Sequence, residues 1–107
     1  MLMAIIEYEL NTGFDAEFTG LIGGLLPRLD EIDGFIGAYP ASSLNHAGRL
    51  YEISYWRDAP ALARWSAHPD HLRAKAEGRD RLLKWYRIRV AEVTRDWQFG
   101  VVPEDLK

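Results

Sequence analysis

Residues 49–57, RLYEISYWR, constrain this chain more than any other stretch. The run is rich in β-formers, with Arg49, Tyr51, Ile53 and Tyr55 on one side and Leu50, Glu52, Ser54 and Trp56 on the other. Neither side is cleanly polar, and a strand apolar on both sides needs cover on both sides. One face therefore calls for a helix layer and the other for something else. Residues 35–43 (FIGAYPASS) form a second strand candidate, and Asn45 and Gly48 in the intervening LNHAG furnish a turn, so the two strands make a hairpin.

Residues 3–10 (MAIIEYEL) suit a first strand, stopped by Asn11-Thr12-Gly13. Then the period changes. Phe14, Phe18, Leu21, Ile22, Leu25, Leu29 and Ile32 recur at helical steps, with Thr12 as the expected N-cap and Asp15 and Glu17 in the first turn. Gly20, Gly23 and Gly24 weaken this helix by about 1 kcal/mol each against Ala, and Pro27 removes a hydrogen bond. A kink near 23–27 is expected. The glycines fit close packing against a sheet, or else a mobile wall over a pocket. After the hairpin, Asp58 caps a short helix, APALARW, with Pro60 in its first turn. His68-Pro69 breaks the pattern, a further helix runs over roughly 69–84, and a last strand follows over 85–99. Its parity switches near Ala91-Glu92, which implies a bulge or a change of partner.

The order is β-α-β-β-α-β in one domain, residues 1–107: an α+β, ferredoxin-like arrangement with an antiparallel four-stranded sheet and helices on one face. The sheet's other face carries Tyr, Ile and Trp side chains, and a patch of that kind predicts a homodimer packed sheet to sheet.

Composition excludes several partners. The net charge is -3 and the basic residues are dispersed, so no nucleic-acid footprint exists, and Arg79, Arg81, Lys84, Arg87 and Arg89 read as a solvated face. The chain has no cysteine, hence no disulfide, thiolate nucleophile or thiolate metal site. The start MLMAIIEYEL has neither the basic flank of a signal peptide nor the length of a membrane span, so a cytoplasmic protein with no membrane partner is expected.

RWSAHPDHLRAK, residues 64–75, holds two of the three histidines. A metal reading of His68 and His71 lacks a third ligand, because His46 sits in the distant hairpin turn and there is no cysteine. As punctuation between helices the stretch is well explained: His68 precedes a proline, Pro69 opens a helix, Asp70 favours its dipole and Trp65 faces inward. His71 is then either an exposed helix histidine or an inward one in need of a partner.

The segment from Ile53 to Phe99 resembles the antibiotic biosynthesis monooxygenase (ABM) superfamily. The resemblance rests on Tyr55-Trp56, on Trp65 with His68 and His71, on Gly78-Arg79, on Trp85-Tyr86 and on Asp96-Trp97-Gln98-Phe99. It is close over residues 51–99 and one of element order alone over residues 1–50. It implies a dimeric α+β barrel with exchanged C-terminal strands. It also implies one of two chemistries: cofactor-free oxidation of phenolic polyketides by dioxygen, or haem degradation by an Asn, a Trp and an axial His. The haem histidine would fall near Lys75, and the first strand offers no asparagine before Asn11. The resemblance therefore implies a monooxygenase with no cofactor, acting on a small aromatic molecule. Trp65 matches the family's functional tryptophan, and His71 is the expected base, its ordinary pKa of about 6.5 suiting a proton acceptor. Trp56 would wall the pocket, Tyr8, Tyr51 and Tyr55 would add hydroxyls, and Arg64 would steady negative charge at the mouth. A dimeric domain that binds a small ligand without turning it over is the alternative.

Overall fold

The computed structural model describes residues 1–106. Four strands, β1 (Leu2–Leu10), β2 (Phe35–Ser42), β3 (Leu50–Trp56) and β4 (Leu83–Glu92), form one antiparallel sheet in the order β2-β3-β1-β4. Helices α1 (Asp15–Leu29), α2 (Ala59–Ser66) and α3 (Pro69–Glu77) complete the chain's layers, and a π-helical turn over Gly78–Leu82 joins α3 to β4. This is the expected α+β, ferredoxin-like order, with the second helical segment divided at His68.

The core lies where the helices meet one end of the sheet. Leu29 of α1, Trp56 of β3, and Ala61 and Trp65 of α2 pack together, with Phe35 edge-on to Trp56 at 5.2 Å. Trp56 is 1% exposed, and its indole N–H is satisfied 2.9 Å from the Ser54 hydroxyl oxygen. Gly34 makes this packing possible. Its φ is +93°, and a Cβ there would stand 2.6 Å from that of Ala61, so only glycine fits. Gly48, at φ +82°, serves the hairpin turn as expected.

Helix punctuation follows local chemistry. The Asp58 carboxylate accepts the Ala61 N–H at 3.0 Å, and His68 Nδ1 accepts the Asp70 N–H at 3.1 Å. Thr12 does not cap α1; the residue before the helix is Phe14, with no side-chain cap, and Gly13 at φ +90° turns the chain between them. The helix runs unbroken through Pro27. Its glycines are not there for close packing: a Cβ on Gly20, Gly23 or Gly24 would meet nothing within 4 Å.

The last two elements are shorter than the pattern implied. Helix α3 stops at Glu77, and the π turn takes up one extra residue before Leu83 enters the sheet. Arg81 of that turn is pinned by Glu17 of α1 and Glu77 of α3, at 2.9 Å to each. The strand ends at Glu92, and Val93 then donates to the Met1 carbonyl at 2.9 Å. The parity switch thus marks the end of the strand, and residues 93–99 carry no regular structure, with Trp97 and Phe99 exposed.

Candidate active site

Strand parity sorts the side chains before any helix is placed. Facing the helices, β1 contributes Ile6 and Tyr8, β3 contributes Glu52, and β4 contributes Tyr86 and Ile88. The register runs Ile88–Ile6–Glu52–Pro40 across the four strands, with Tyr86–Tyr8–Leu50 as the next row. Over these rows lies α1, presenting Phe18, Leu21, Ile22 and Leu25, while α2 and α3 close the side with Trp65, His71 and Ala74. The result is a largely apolar cavity of about 240 Å³. Leu26 and Ile88 line it while remaining 45% and 48% exposed, so they mark its mouth.

Polar groups in this cavity are few. His71 is half-buried, its ring centroid 4.9 Å from that of Trp65, and its Nδ1 is buried without a hydrogen-bond partner. Burial holds the imidazole below its usual pKa, against the nearby Ser66 backbone, which raises it; Lys75 and His68 add to the lowering. The ring is therefore neutral at pH 7 and able to accept a proton. The Tyr8 hydroxyl is pushed up to about 12, by burial first and then by the nearby Glu52, so it stays protonated and serves as a donor. Burial alone pushes the Glu52 carboxyl up.

His68 and His71 flank Trp65, with centroids 5.6 Å and 4.9 Å from it, but the two do not act alike. His68 spends its Nδ1 on the helix cap, whereas His71 leaves its own unspent. No group of three metal-ligating side chains occurs among the described residues. The residues present do not fit the haem arrangement either. Lys75 lines the cavity at the ligand's place, and the Asn11 amide donates to the Arg81 carbonyl at 2.9 Å.

Of the expected site residues, the fold gathers Trp65, His71 and Tyr8 around the cavity and leaves four outside it. Trp56 is core, walled off behind Trp65 and Leu29. Tyr51 and Tyr55 have the opposite parity from Glu52 and Trp56 and lie on the open face, where Tyr55 meets Tyr39 edge-on at 6.0 Å. Arg64 donates to the Asp33 carbonyl at 2.8 Å, beside the bidentate Arg57–Asp33 pair, and lines no part of the cavity. Glu52 and Tyr86 were not anticipated. Their signal was available: Tyr86 shares its parity with the cavity-facing Ile88, and Glu52 shares its own with the inward-facing core residue Trp56.

A family model described as antibiotic biosynthesis monooxygenase matches residues 1–77. The chain belongs to the antibiotic biosynthesis monooxygenase family. The match includes the first fifty residues, where the sequence pattern had offered element order alone. Among relatives, a Pyricularia oryzae protein named jasmonate monooxygenase ABM is 40% identical over 81 residues, which is 76% of this chain and 37% of that protein. The uncharacterised Bacillus subtilis protein YqjZ is 35% identical over 66 residues, 62% of this chain and 56% of that one. The chain thus spans between about a third and somewhat over half of the length of these relatives. Among solved structures, one from Deinococcus radiodurans, assigned to the same family, superposes with a TM-score of 0.82 at 14% identity, covering 94% of this chain and 100% of that one. SnoaB, a cofactor-independent oxygenase from Streptomyces nogalater, gives 0.75 at 15% identity, covering 89% and 94%. At such identities these likenesses show the shared fold.

Proposed function

We propose that this ABM-family protein is a cofactor-independent monooxygenase that oxidises a small phenolic or polyketide-like aromatic compound with dioxygen. One observation carries the reading: an apolar cavity in which a half-buried histidine lies tilted against a tryptophan and its Nδ1 is buried without a hydrogen-bond partner. His71 accepts the proton of a substrate hydroxyl or enol, and the resulting anion is electron-rich enough to reduce dioxygen. Carbon–oxygen bond formation gives a hydroperoxide, which loses water to leave the quinone; one dioxygen yields one new carbonyl and one water. The protein contributes a dry pocket, a base and donors for the anion. Trp65 holds the ring plane and the Tyr8 hydroxyl donates to the developing negative charge. Catalysis is carried by His71 and Trp65 in this reading, with Tyr8 as a binding group.

The assembly is proposed to be a homodimer. Its interface is the open face of the sheet, where Tyr39, Tyr51, Ile53 and Tyr55 are otherwise left to water. A cytoplasmic location accords with helices too short and polar to cross a membrane among the described residues. Binding without turnover is the competing reading, since most of the fungal relative's length lies outside the match.

The test is oxygen uptake by purified, chelator-treated protein over a panel of anthrones, naphthols and jasmonate. Uptake is expected with at least one hydroxylated ring, falling by roughly 10²-fold in His71→Ala, the usual contribution of a positioned base. No uptake across the panel with preserved binding would leave a ligand-binding domain, and full activity in His71→Ala would remove the base.

A further inference from the structure

The reaction above leaves Glu52 without a task, and its surroundings do not explain it as structure. It stands at the centre of a central strand, between Ile6 and Pro40 in the cross-sheet row. From the Ile88 rim it is two strand spacings in, about 10 Å. Burial is the sole influence on its carboxyl, which takes no hydrogen bond or ion pair among the described residues. The polar groups that line the cavity with it are Tyr8 of β1, Tyr86 of β4, His71 and Lys75 of α3, and Ser66 of α2, whose hydroxyl donates to the Leu62 carbonyl; α1 brings only apolar side chains. Leaving a carboxyl unpaired in an apolar cavity costs stability that an apolar residue there would not, so a fold keeps one where a ligand completes it.

We propose that Glu52 is the hydroxyl anchor of the cavity, accepting a hydrogen bond from a neutral ring compound and turning away ring compounds that carry a carboxylate in that place. Rim to anchor spans about two fused rings, with apolar Ile6 as the floor between. A hydroxyl placed at Glu52 lays the ring along the Ile88–Ile6–Glu52 row, beneath α1 and beside Trp65. The anchor thus fixes which ring position reaches His71. Lys75, the cation of the lining, leaves room for an acid only toward its own end. The proposal rests on the cavity being the substrate site.

The test measures binding, which does not depend on turnover. A naphthol, the corresponding methylnaphthalene and the corresponding naphthoate are titrated by calorimetry into the whole chain and into Glu52→Leu and Glu52→Gln. Circular dichroism and the melting midpoint check that each variant is folded. Wild type should bind the naphthol about tenfold or more tighter than methylnaphthalene, as befits a hydrogen bond to a charged acceptor. Glu52→Leu should erase that preference. In Glu52→Gln, which keeps an acceptor and loses the charge, naphthoate should tighten by about tenfold or more while the naphthol changes least. An unchanged naphthol-to-methylnaphthalene ratio in Glu52→Leu overturns the anchor, even if oxygen uptake is seen. Conversely, the full binding pattern without oxygen uptake on any panel compound upholds the anchor and defeats the oxygenase reading.

Discussion

The two faces of one sheet treat their carboxylates in opposite ways. On the open face Glu7 accepts from Arg87 Nε at 2.9 Å, and Glu9 pairs with Arg49 at 3.4 Å, whose guanidinium also lies over Trp85. These partners hold both carboxyls below the usual range, chiefly through hydrogen bonds from Arg87 to Glu7 and from Trp85 to Glu9. On the helix face, Glu52 is level with Ile6, next to Glu7 in the chain, yet it has no partner and its carboxyl is pushed up. His71 repeats the theme from the helix side. The carboxylates of the open face are paired, although Arg49 Nε there is buried without a hydrogen bond; the one carboxylate that lines the cavity is unpaired. Unsatisfied groups are what a binding site looks like before its ligand arrives.

The helix face is itself divided, and that division yields the largest expected effect. Its Trp56 end is solid and its Glu52 end is hollow. Trp56→Ala should cost about 3–5 kcal/mol in chemical denaturation, because a fully buried ring leaves a void its neighbours cannot refill. A loss under about 1 kcal/mol would mean that the packed end is as loose as the cavity.

Smaller effects are expected at the wall. Gly23→Ala and Gly24→Ala should each stabilise by about 1 kcal/mol, since open space awaits the new methyl and the helix gains propensity. If α1 yields to admit ligand, the same changes should slow naphthol association in stopped-flow fluorescence. Faster or unchanged association would show a wall that does not move.

Titration should separate the carboxyls of the two faces by sign. A lowered carboxyl such as Glu7 or Glu17 stabilises the fold above its unfolded pKa near 4.5, and that contribution is lost as pH falls through the folded value. Glu52 is raised, so its contribution is complete below 4.5 and is lost as pH rises through its folded value. His71, lowered from 6.5, contributes above 6.5 and loses that contribution as pH falls through its folded value. Stability of Glu52→Gln relative to wild type should therefore improve as pH climbs from 4.5 toward neutrality. A difference that does not vary with pH would place Glu52 in bulk water.

Much of this was legible in the residues. The two-residue period of RLYEISYWR, the turn at Gly48 and the caps at Asp58 and His68 follow from local rules, and they place every strand and helix in order. The ends of elements were less legible. Residues 93–99 keep β-forming side chains, and only the lack of a partner beyond Glu92 stops the strand. At the site, the spacing of Trp65 and His71 brings their rings together, but Tyr51 and Tyr55 were grouped with Trp56 against their own parity. Glu52 shared that parity with Trp56 all along. A charged residue in an inward position carries little meaning until the space around it is known to be empty of partners.

The most direct measurement is carboxyl-carbon NMR of glutamate-labelled protein, titrated over acid to neutral pH with and without a naphthol. Glu52 should titrate above 4.5, and its resonance should shift with saturating ligand, while Glu7 and Glu9 titrate below 4.5 and stay where they are. A Glu52 resonance that titrates with the open-face carboxyls and ignores the ligand would contradict the account.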